Sequence, residues 1–291
     1  MCRLAVYKGP AVSLSDVLFK SSNSLIHQSN RAGSDCLIPG LPDCLQMPVN
    51  MDGTGVAWYD SKRASNRYRA PFPAFADDGL REVSKSIQSD LMFGHVRSAA
   101  AGVTGESAAA VGETNCHPFA YKNLTFMHNG AISCFAKVRH HLEQHLTKEA
   151  ASIIQGNTDS ELLFALWLSQ LGDLSAKHSA LHLAHALDKT IGIITSTTAQ
   201  AGIVHASSLN MAVTNGLHVV VSRYRNSPTE QPPSLYMSHG SGLAVGDDNC
   251  LRFARPHGVG GVVISSEPLC SRSLERWSIV PKNTMVVAVA D

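Results

Sequence analysis

The residue best suited to covalent chemistry is Cys2, which follows Met1 directly. Methionine aminopeptidases remove an initiator Met when a small residue such as Cys follows it, so we expect Cys2 to carry a free α-amino group. Such an amine has an ordinary pKa of about 7.7–8.0 and can act as general base toward the neighbouring thiol, directly or through a water. A nucleophilic cysteine is therefore a hypothesis, although a cysteine at position 2 is by itself weak evidence.

Two further segments carry groups suited to binding anions. Arg97 ends the run Gly94-His95-Val96-Arg97, and its planar guanidinium can hold a carboxylate with two hydrogen bonds. Asn129 and Gly130 follow an apolar run, and a side-chain amide and a backbone N–H there could both point at a developing oxyanion. The structural alternatives are a salt bridge for the arginine and a simple Asn-Gly turn.

The segment Thr158-Asp159-Ser160-Glu161 stands in front of an apolar run with helical spacing. Thr158 or Asp159 is predicted to cap that helix, because short oxygen-bearing side chains accept hydrogen bonds from the first free N–H groups. An aspartate at this position could also bind the ammonium group of a substrate.

These residues must be positioned by strands and helices that the sequence also predicts. A strand over residues 3–7 places Cys2 at its head and is expected to stop at Gly9 and Pro10. Further strands are predicted over 55–59, 91–97, 124–128, 209–214, 218–223, 259–265 and 284–290. Helices are predicted over 13–20, 78–89, 136–145, 160–171 and 176–189.

The order of these elements favours one fold class. Strands occur in clusters with helices between the clusters, which indicates an α+β layered arrangement and not a doubly wound parallel sheet. We find no internal repeat, and we expect a single domain over residues 2–291.

Composition excludes several classes of protein. The 24 basic and 23 acidic residues are interspersed, so neither a nucleic-acid surface nor a polybasic membrane patch is predicted. No signal peptide or membrane-spanning run is visible, which predicts a cytoplasmic protein. The seven irregularly spaced cysteines favour reduced thiols over a disulfide or zinc framework, and no metal or other cofactor is expected.

Several motifs in order resemble the class II glutamine amidotransferases, which are amino-terminal-nucleophile hydrolases with a four-layer αββα sandwich. The motifs that carry this resemblance are Met1-Cys2-Arg3, 52–59 (DGTGVAWY), His95-Val96-Arg97, 113–119 (ETNCHPF), His128-Asn129-Gly130 and Thr158-Asp159-Ser160-Glu161. Later segments, including 222–225 (SRYR), 232–236 (PPSLY) and 266–269 (SEPL), look closer to fungal-type γ-glutamyl hydrolases that degrade glutathione with a metallopeptidase-like partner subunit.

The resemblance implies a role for each of the residues singled out above. Cys2 would be the nucleophile and, through its α-amine, the base. Asn129 and Gly130 would form the oxyanion hole, while Arg97 and Asp159 would bind the γ-glutamyl carboxylate and ammonium. The histidines of the same motifs, His95 and His117, are interpreted as structural.

The implied reaction is hydrolysis of a γ-glutamyl amide bond, with glutathione giving glutamate and cysteinylglycine. A plain glutaminase and a γ-glutamyl hydrolase of another metabolite remain open. So does a non-catalytic scaffold subunit, because Ala100 and Ala101 stand where related enzymes commonly carry a hydroxyl residue that touches the substrate carboxylate.

Overall fold

The computed structural model describes residues 2–30, 50–99, 110–257, 260–270 and 272–289. Two antiparallel sheets dominate this part of the chain. Their strands are β1 Arg3–Ser13, β2 Thr54–Tyr59, β3 Ser65–Ala70, β4 Gln88–Val96, β5 Phe119–Tyr121, β6 Leu124–Ala131, β7 Ser208–Thr214, β8 Val219–Arg223, β9 Tyr236–Val245, β10 Leu251–Pro256, β11 Gly261–Ser265, β12 Ser278–Ile279 and β13 Thr284–Ala288.

The two sheets differ in size and strand order. The first has eight strands in the order β10-β9-β11-β1-β4-β2-β3, with β12 also paired to β9. The second has five strands in the order β13-β8-β7-β6-β5. The amino-terminal strand β1 is therefore central in the larger sheet, and β6 lies next to the edge strand of the smaller one.

Helices cover the outer faces of both sheets. They are α1 Leu25–Ser29, α2 Asp78–Val83, α3 Phe135–Glu143, α4 Lys148–Ser152, α5 Asp159–Leu171 and α6 Ala180–Gln200. One apolar core packs between the two sheets, including Leu4, Phe93 and Met127. Separate cores lie under α5 and α6 on the smaller sheet and under α1 on the larger sheet. The predicted α+β fold with four αββα layers is confirmed.

Helix α5 positions Asp159, one of the predicted site residues. Its residues from Ser160 to Leu168 are all buried, so the helix has no solvent face and is fixed between the smaller sheet and its neighbouring helices. Thr158 caps it, since the Thr158 hydroxyl accepts a hydrogen bond from the Glu161 N–H at 3.1 Å. The cap leaves the Asp159 carboxylate available for other contacts.

Some predicted boundaries are wrong. Strand β1 continues through Gly9 and Pro10 to Ser13, because the pairing with β4 is interrupted between Lys8 and Val12, where a proline without an N–H can be tolerated. The helix predicted over 13–20 is accordingly reduced to a short π-helix over Asp16–Lys20. The helix predicted over 78–89 ends at Val83, since β4 begins at Gln88.

The prediction that all the cysteines are reduced is wrong for one pair. Cys250 and Cys270 form a disulfide, with their Cα atoms 5.1 Å apart. Cys250 precedes β10 and Cys270 follows β11, and both strands pair with β9, so the sheet brings together two residues that are far apart in sequence. Within the ranges that the structure covers, no helix is both long and apolar enough to span a bilayer.

Candidate active site

Pairing between β1 and β4 brings Cys2 to the residues that follow β4. Arg3 lies opposite Val96, so Cys2 is level with Arg97 and Ser98. The backbone N–H of Ser98 points to the Cys2 sulfur at 3.4 Å, and the same sulfur lies 3.7 Å from the Ser98 carbonyl oxygen. The thiol is thus fixed against a single residue, whose N–H can stabilise a thiolate.

Arg97 is almost fully buried, and its surroundings are built from the turn before β2. Its N–H donates to the Gly53 carbonyl at 2.8 Å, and its guanidinium donates to the Asp52 carbonyl at 3.2 Å. The Asp52 carboxylate accepts a hydrogen bond from the Ala99 N–H at 2.7 Å. Gly53 has a φ of +143°, and a Cβ there would collide with the Cys116 sulfur. This turn therefore holds the backbone on both sides of Ser98.

Asn129 and Gly130 lie within β6, so the alternative of a simple Asn-Gly turn is wrong. Side chains alternate along a strand, and Met127 belongs to the core between the sheets, so Asn129 faces that layer as well. Both polar atoms of the Asn129 side chain are buried, and neither has a hydrogen-bond partner among the described residues. A buried amide without partners is costly unless a ligand or water satisfies it.

The predicted structural histidines connect the two sheets beside Asn129. His95 Nε2 donates to the backbone carbonyl of His128 at 3.1 Å, which joins β4 to β6. The His117 ring stacks on His95 with a centroid separation of 4.1 Å. Burial lowers the pKa of His95 to about 3 and holds the pKa of His117 well below its ordinary value, so both rings are neutral.

Asp159 reaches from the start of α5 to the end of β6. One carboxylate oxygen accepts the Ile132 N–H at 2.9 Å, and the other accepts from the Ser160 hydroxyl at 3.2 Å. Ser160 also contacts His128 Nδ1 at 2.9 Å. The loop before Asp159 is ordered by Glu161, whose carboxylate accepts N–H groups from Gln155 and Gly156 at 2.9 and 2.6 Å.

A continuous set of contacts therefore joins the five predicted site residues. Cys2 touches Ser98, which follows Arg97. His95, on β4 and two residues before Arg97, bonds the carbonyl of His128, the residue before Asn129. Asp159 bonds the residue two positions after Gly130. Ala100 and Ala101, which keep the scaffold alternative open, lie outside the described residues.

Three contributors to the site were not predicted as such: Ser98, His128 and Ser160. Ser98 and Ser160 make their contacts with their own atoms, and their positions next to Arg97 and Asp159 were an available signal. His128 also had such a signal, since it precedes Asn129 in the motif His128-Asn129-Gly130, but its bond to Ser160 joins residues 32 positions apart and was not predicted.

The fold and the site together define a class of protein. The family model of the class II glutamine amidotransferases matches residues 44–290, and the chain belongs to that family. The chain is thus a glutamine amidotransferase-like hydrolase. Cys2 itself lies outside the matched residues.

A curated relative extends the likeness beyond the residues that the family model matches. The probable glutamine amidotransferase DUG3 of Saccharomyces cerevisiae is 36% identical to this chain over 310 residues, covering 98% of this chain and 81% of that protein.

Two solved structures support the fold. A glutamine aminotransferase class-II domain protein from Silicibacter pomeroyi superposes with a TM-score of 0.64 at 24% identity, covering 99% of this chain and 95% of that one. The glutamine phosphoribosylpyrophosphate amidotransferase from B. subtilis gives a TM-score of 0.57 at 14% identity and covers 99% of this chain but 47% of that one. At these identities the likeness supports the fold alone.

Proposed function

We propose that this protein hydrolyses a γ-glutamyl amide bond through a covalent thioester on Cys2. The observation that carries the proposal is the buried polar environment around the thiol. Cys2 is held by Ser98 beside the buried Arg97, and Asn129 presents to the same layer between the sheets an amide that has no partner in the described ranges. A nucleophile, a cation and free hydrogen-bond donors are the parts that acyl transfer from a glutamyl group requires.

Each group has a defined role in the proposed reaction. The α-amine of Cys2, free after removal of Met1, takes the thiol proton, and the sulfur attacks the γ-carbonyl carbon. The Asn129 amide and the Gly130 N–H stabilise the negative oxygen of the tetrahedral intermediate. When the intermediate collapses, the amine leaves with a proton from the α-ammonium. Water then attacks the thioester, releasing glutamate and restoring the thiol.

Recognition of the glutamyl group follows from charge. Arg97 binds the α-carboxylate with its planar guanidinium, and Asp159 binds the α-ammonium. Two opposite charges on the protein match two opposite charges on the substrate, which fixes the γ-carbonyl relative to Cys2.

We propose glutathione as the substrate and cysteinylglycine as the leaving amine. The support is the likeness of residues 222–225, 232–236 and 266–269 to the glutathione-degrading branch, together with 36% identity to the DUG3 relative. A metallopeptidase-like partner subunit would then consume the dipeptide that this reaction releases. Glutamine, whose leaving group is ammonia, is the competing substrate.

The test is glutamate release from glutathione and, separately, from glutamine, using protein whose loss of Met1 has been checked by intact mass. We expect turnover by the processed protein and none by Cys2→Ser, with glutathione preferred. Any protein that copurifies is also assayed for glutamate release, both alone and together with the processed protein. If processed protein releases no glutamate from either substrate, alone or with the partner, the hydrolase proposal is wrong.

A further inference from the structure

A nucleophile at the first position of a processed chain is held only by the residues that follow it, because chain ends are poorly ordered unless other segments fix them. On one side of β1, pairing with β4 begins at Arg3. On the other side, pairing with β11 begins only at Ala5, which lies opposite Ser265. The two residues between Cys2 and Ala5 are therefore held on that side by contacts of another kind.

The segment after β11 supplies these contacts, one residue for each. Ser266 donates its N–H to the Leu4 carbonyl at 2.9 Å, and its hydroxyl accepts the Leu4 N–H at 3.0 Å. The Glu267 carboxylate forms an ion pair with Arg3, in which Oε1 lies 3.1 Å from Nε. Residues 266–269 are the SEPL motif, to which the proposed reaction assigns no role. The structure places this motif against the two residues that follow the nucleophile.

The ion pair is anchored at both ends. Asn23 donates its N–H to the Leu269 carbonyl at 3.1 Å, two residues after Glu267. Arg3 Nη1 donates to the Asn50 side-chain oxygen at 3.2 Å. The carboxylate and guanidinium side chains are both more than nine-tenths buried. A buried ion pair roughly breaks even in stability against well-packed apolar residues, so stability alone does not account for this one.

The pair also balances charge beside the amine that the proposed reaction uses as a base. Consecutive Cα atoms are about 3.8 Å apart, so the charges on Arg3 and its partner act on the α-amine of Cys2 at short range, and their burial limits screening by salt. The positive charge of Arg3 disfavours the ammonium form of the amine, and the negative charge of Glu267 favours it. With both present, the two effects oppose each other.

We propose that Arg3 and Glu267 are positioning residues for the reaction, because their ion pair fixes the amino-terminal nucleophile against the SEPL segment and keeps the charge around its α-amine balanced. The inference rests on the proposed function, in which the α-amine of Cys2 is the general base. It adds two residues that act through Cys2 and gives the SEPL motif a role.

The elements around the start of β1 carry further charged or titratable groups. They are His95 in β4, Arg97 just after it, Asp52 before β2, Cys116 before β5, His128 in β6, Asp159 at the start of α5 and His27 in α1. All of them are the same in every variant described below. Differences between the pH profiles of the variants therefore report the ion pair.

The experiment measures kcat/KM against pH with the better of the two substrates, for proteins whose loss of Met1 is checked by intact mass. The acid limb of the profile reports the pKa of the base in the free enzyme. Arg3→Gln leaves Glu267 unbalanced and favours the ammonium form, so the limb should move to higher pH by about 0.5–1.5 pH units. Glu267→Gln leaves Arg3 unbalanced and should move the limb to lower pH by a similar amount. The double variant should return it close to the wild-type position.

Positioning has a separate readout. Arg3→Lys keeps the charge but not the planar fork that bonds both Glu267 and Asn50, so the limb should stay in place while kcat falls about tenfold and KM changes little. The matched control is Lys8→Gln, which removes another cation of β1 that pairs with a neighbouring strand, at 3.2 Å from Asp90. Lys8 is six residues from the nucleophile, about 20 Å along the strand, so this variant should keep the wild-type profile and kcat.

A substitution that leaves a buried charge unpaired can unfold the protein. Asn50→Asp tests the same charge effect without this risk, because it adds a carboxylate beside Arg3 and should move the limb to higher pH. Limbs that coincide in all variants, or that move in the same direction for Arg3→Gln and Glu267→Gln, would overturn the inference and leave the hydrolase proposal intact. Processed wild-type protein that hydrolyses neither substrate would overturn both.

A second measurement needs no turnover. In Cys2→Ser protein that has lost Met1, an acylating reagent modifies the neutral α-amine, and peptide mapping across a pH series measures the pKa of that amine. Adding Arg3→Gln should raise the midpoint, and adding Glu267→Gln should lower it. Equal midpoints in the three proteins would contradict the proposal.

Discussion

Two asparagines lie side by side on neighbouring strands of the smaller sheet and have opposite surroundings. Asn129 of β6 is directly opposite Asn210 of β7, so their side chains share one face. The Asn210 amide donates to the Pro233 carbonyl at 2.9 Å and accepts the Tyr224 N–H at 3.3 Å. Asn129 is equally buried and has no partner among the described residues.

The difference separates an amide whose hydrogen bonds the fold satisfies from one that the described residues leave without a partner. The fold satisfies Asn210 from a loop and from the residue after β8, whereas the part of the chain that the structure describes leaves the Asn129 side chain without a hydrogen bond. Substituting these two residues should therefore affect different properties.

The largest expected effect is on catalysis by Asn129→Ala. Removing one donor from an oxyanion hole typically lowers kcat by about 10²–10³-fold. The unfolding free energy should change little, because no protein hydrogen bond among the described residues is lost. Steady-state kinetics with glutathione and glutamine, alongside denaturant unfolding, measure both quantities. If Asn129→Ala instead lowered the unfolding free energy strongly and left kcat unchanged, Asn129 would be a structural residue and not part of the oxyanion hole.

Gly130→Ala should disturb the fold next to that amide. An added Cβ would collide with the Ser208 carbonyl and approach His128 Nε2 to 2.7 Å. Overpacking of this kind typically destabilises by about 1–3 kcal/mol. The control is Gly192→Ala in α6, where nothing lies within 4 Å of the new Cβ and a gain of about 0.5–1 kcal/mol is expected. Equal midpoints of urea unfolding for the two variants would contradict the geometry.

Asn210→Ala is the counterpart of the first substitution. It leaves the Pro233 carbonyl and the Tyr224 N–H without their partner, and unsatisfied buried groups of this kind cost about 1–3 kcal/mol each. We expect a lower unfolding midpoint, with kcat of the folded protein close to wild type. A drop in kcat as large as that of Asn129→Ala would remove the distinction between the two amides.

Low pH should destabilise the histidine contacts that join the two sheets next to Asn129. His95, His117 and His128 all have a lowered pKa in the fold, whereas the unfolded chain binds protons near pH 6.5. The unfolding free energy should therefore fall as the pH drops below about 6.5, by at most about 1.4 kcal/mol per pH unit for each histidine, down to about pH 3 for His95. Denaturant unfolding at a series of pH values measures the slope.

His95→Gln should make that slope shallower, because it removes one of the three groups. His205→Gln, at an exposed position, is the control and should leave the slope unchanged. A His95→Gln protein with the wild-type slope would show that this ring does not contribute to the acid sensitivity.

The sequence predicts this site unevenly, for physical reasons. Local signals are sufficient for α5, whose apolar spacing and Thr158 cap are both seen in the structure. The ordered motifs also predict the layered fold, through the family that they resemble. Strands β3, β5, β9, β10 and β12 are not predicted by the sequence, and β3 and β9 in particular are rich in polar, charged or glycine residues. Such strands depend on pairing with distant segments more than on their own composition.

The contacts of the site that the sequence does not predict also join residues that are far apart in the chain. Nothing near His128 in sequence indicates that its ring bonds Ser160, and nothing near Asn129 indicates that its side chain, unlike that of Asn210, has no hydrogen-bond partner among the described residues. Both facts follow from which strands become neighbours. The Asn-Gly pair shows the same limit, because the local pattern is typical of a turn and the sheet extends it as a strand.

The most direct test of the central claim is the site of covalent modification by a chloroketone analogue of glutamine, which carries its electrophilic carbon next to the γ-carbonyl. Peptide mapping of processed protein should find the label on Cys2, and glutamine or glutathione should slow both labelling and inactivation. Labelling that leaves Cys2 free while activity is lost, or activity that survives complete labelling of Cys2, would contradict a Cys2 nucleophile.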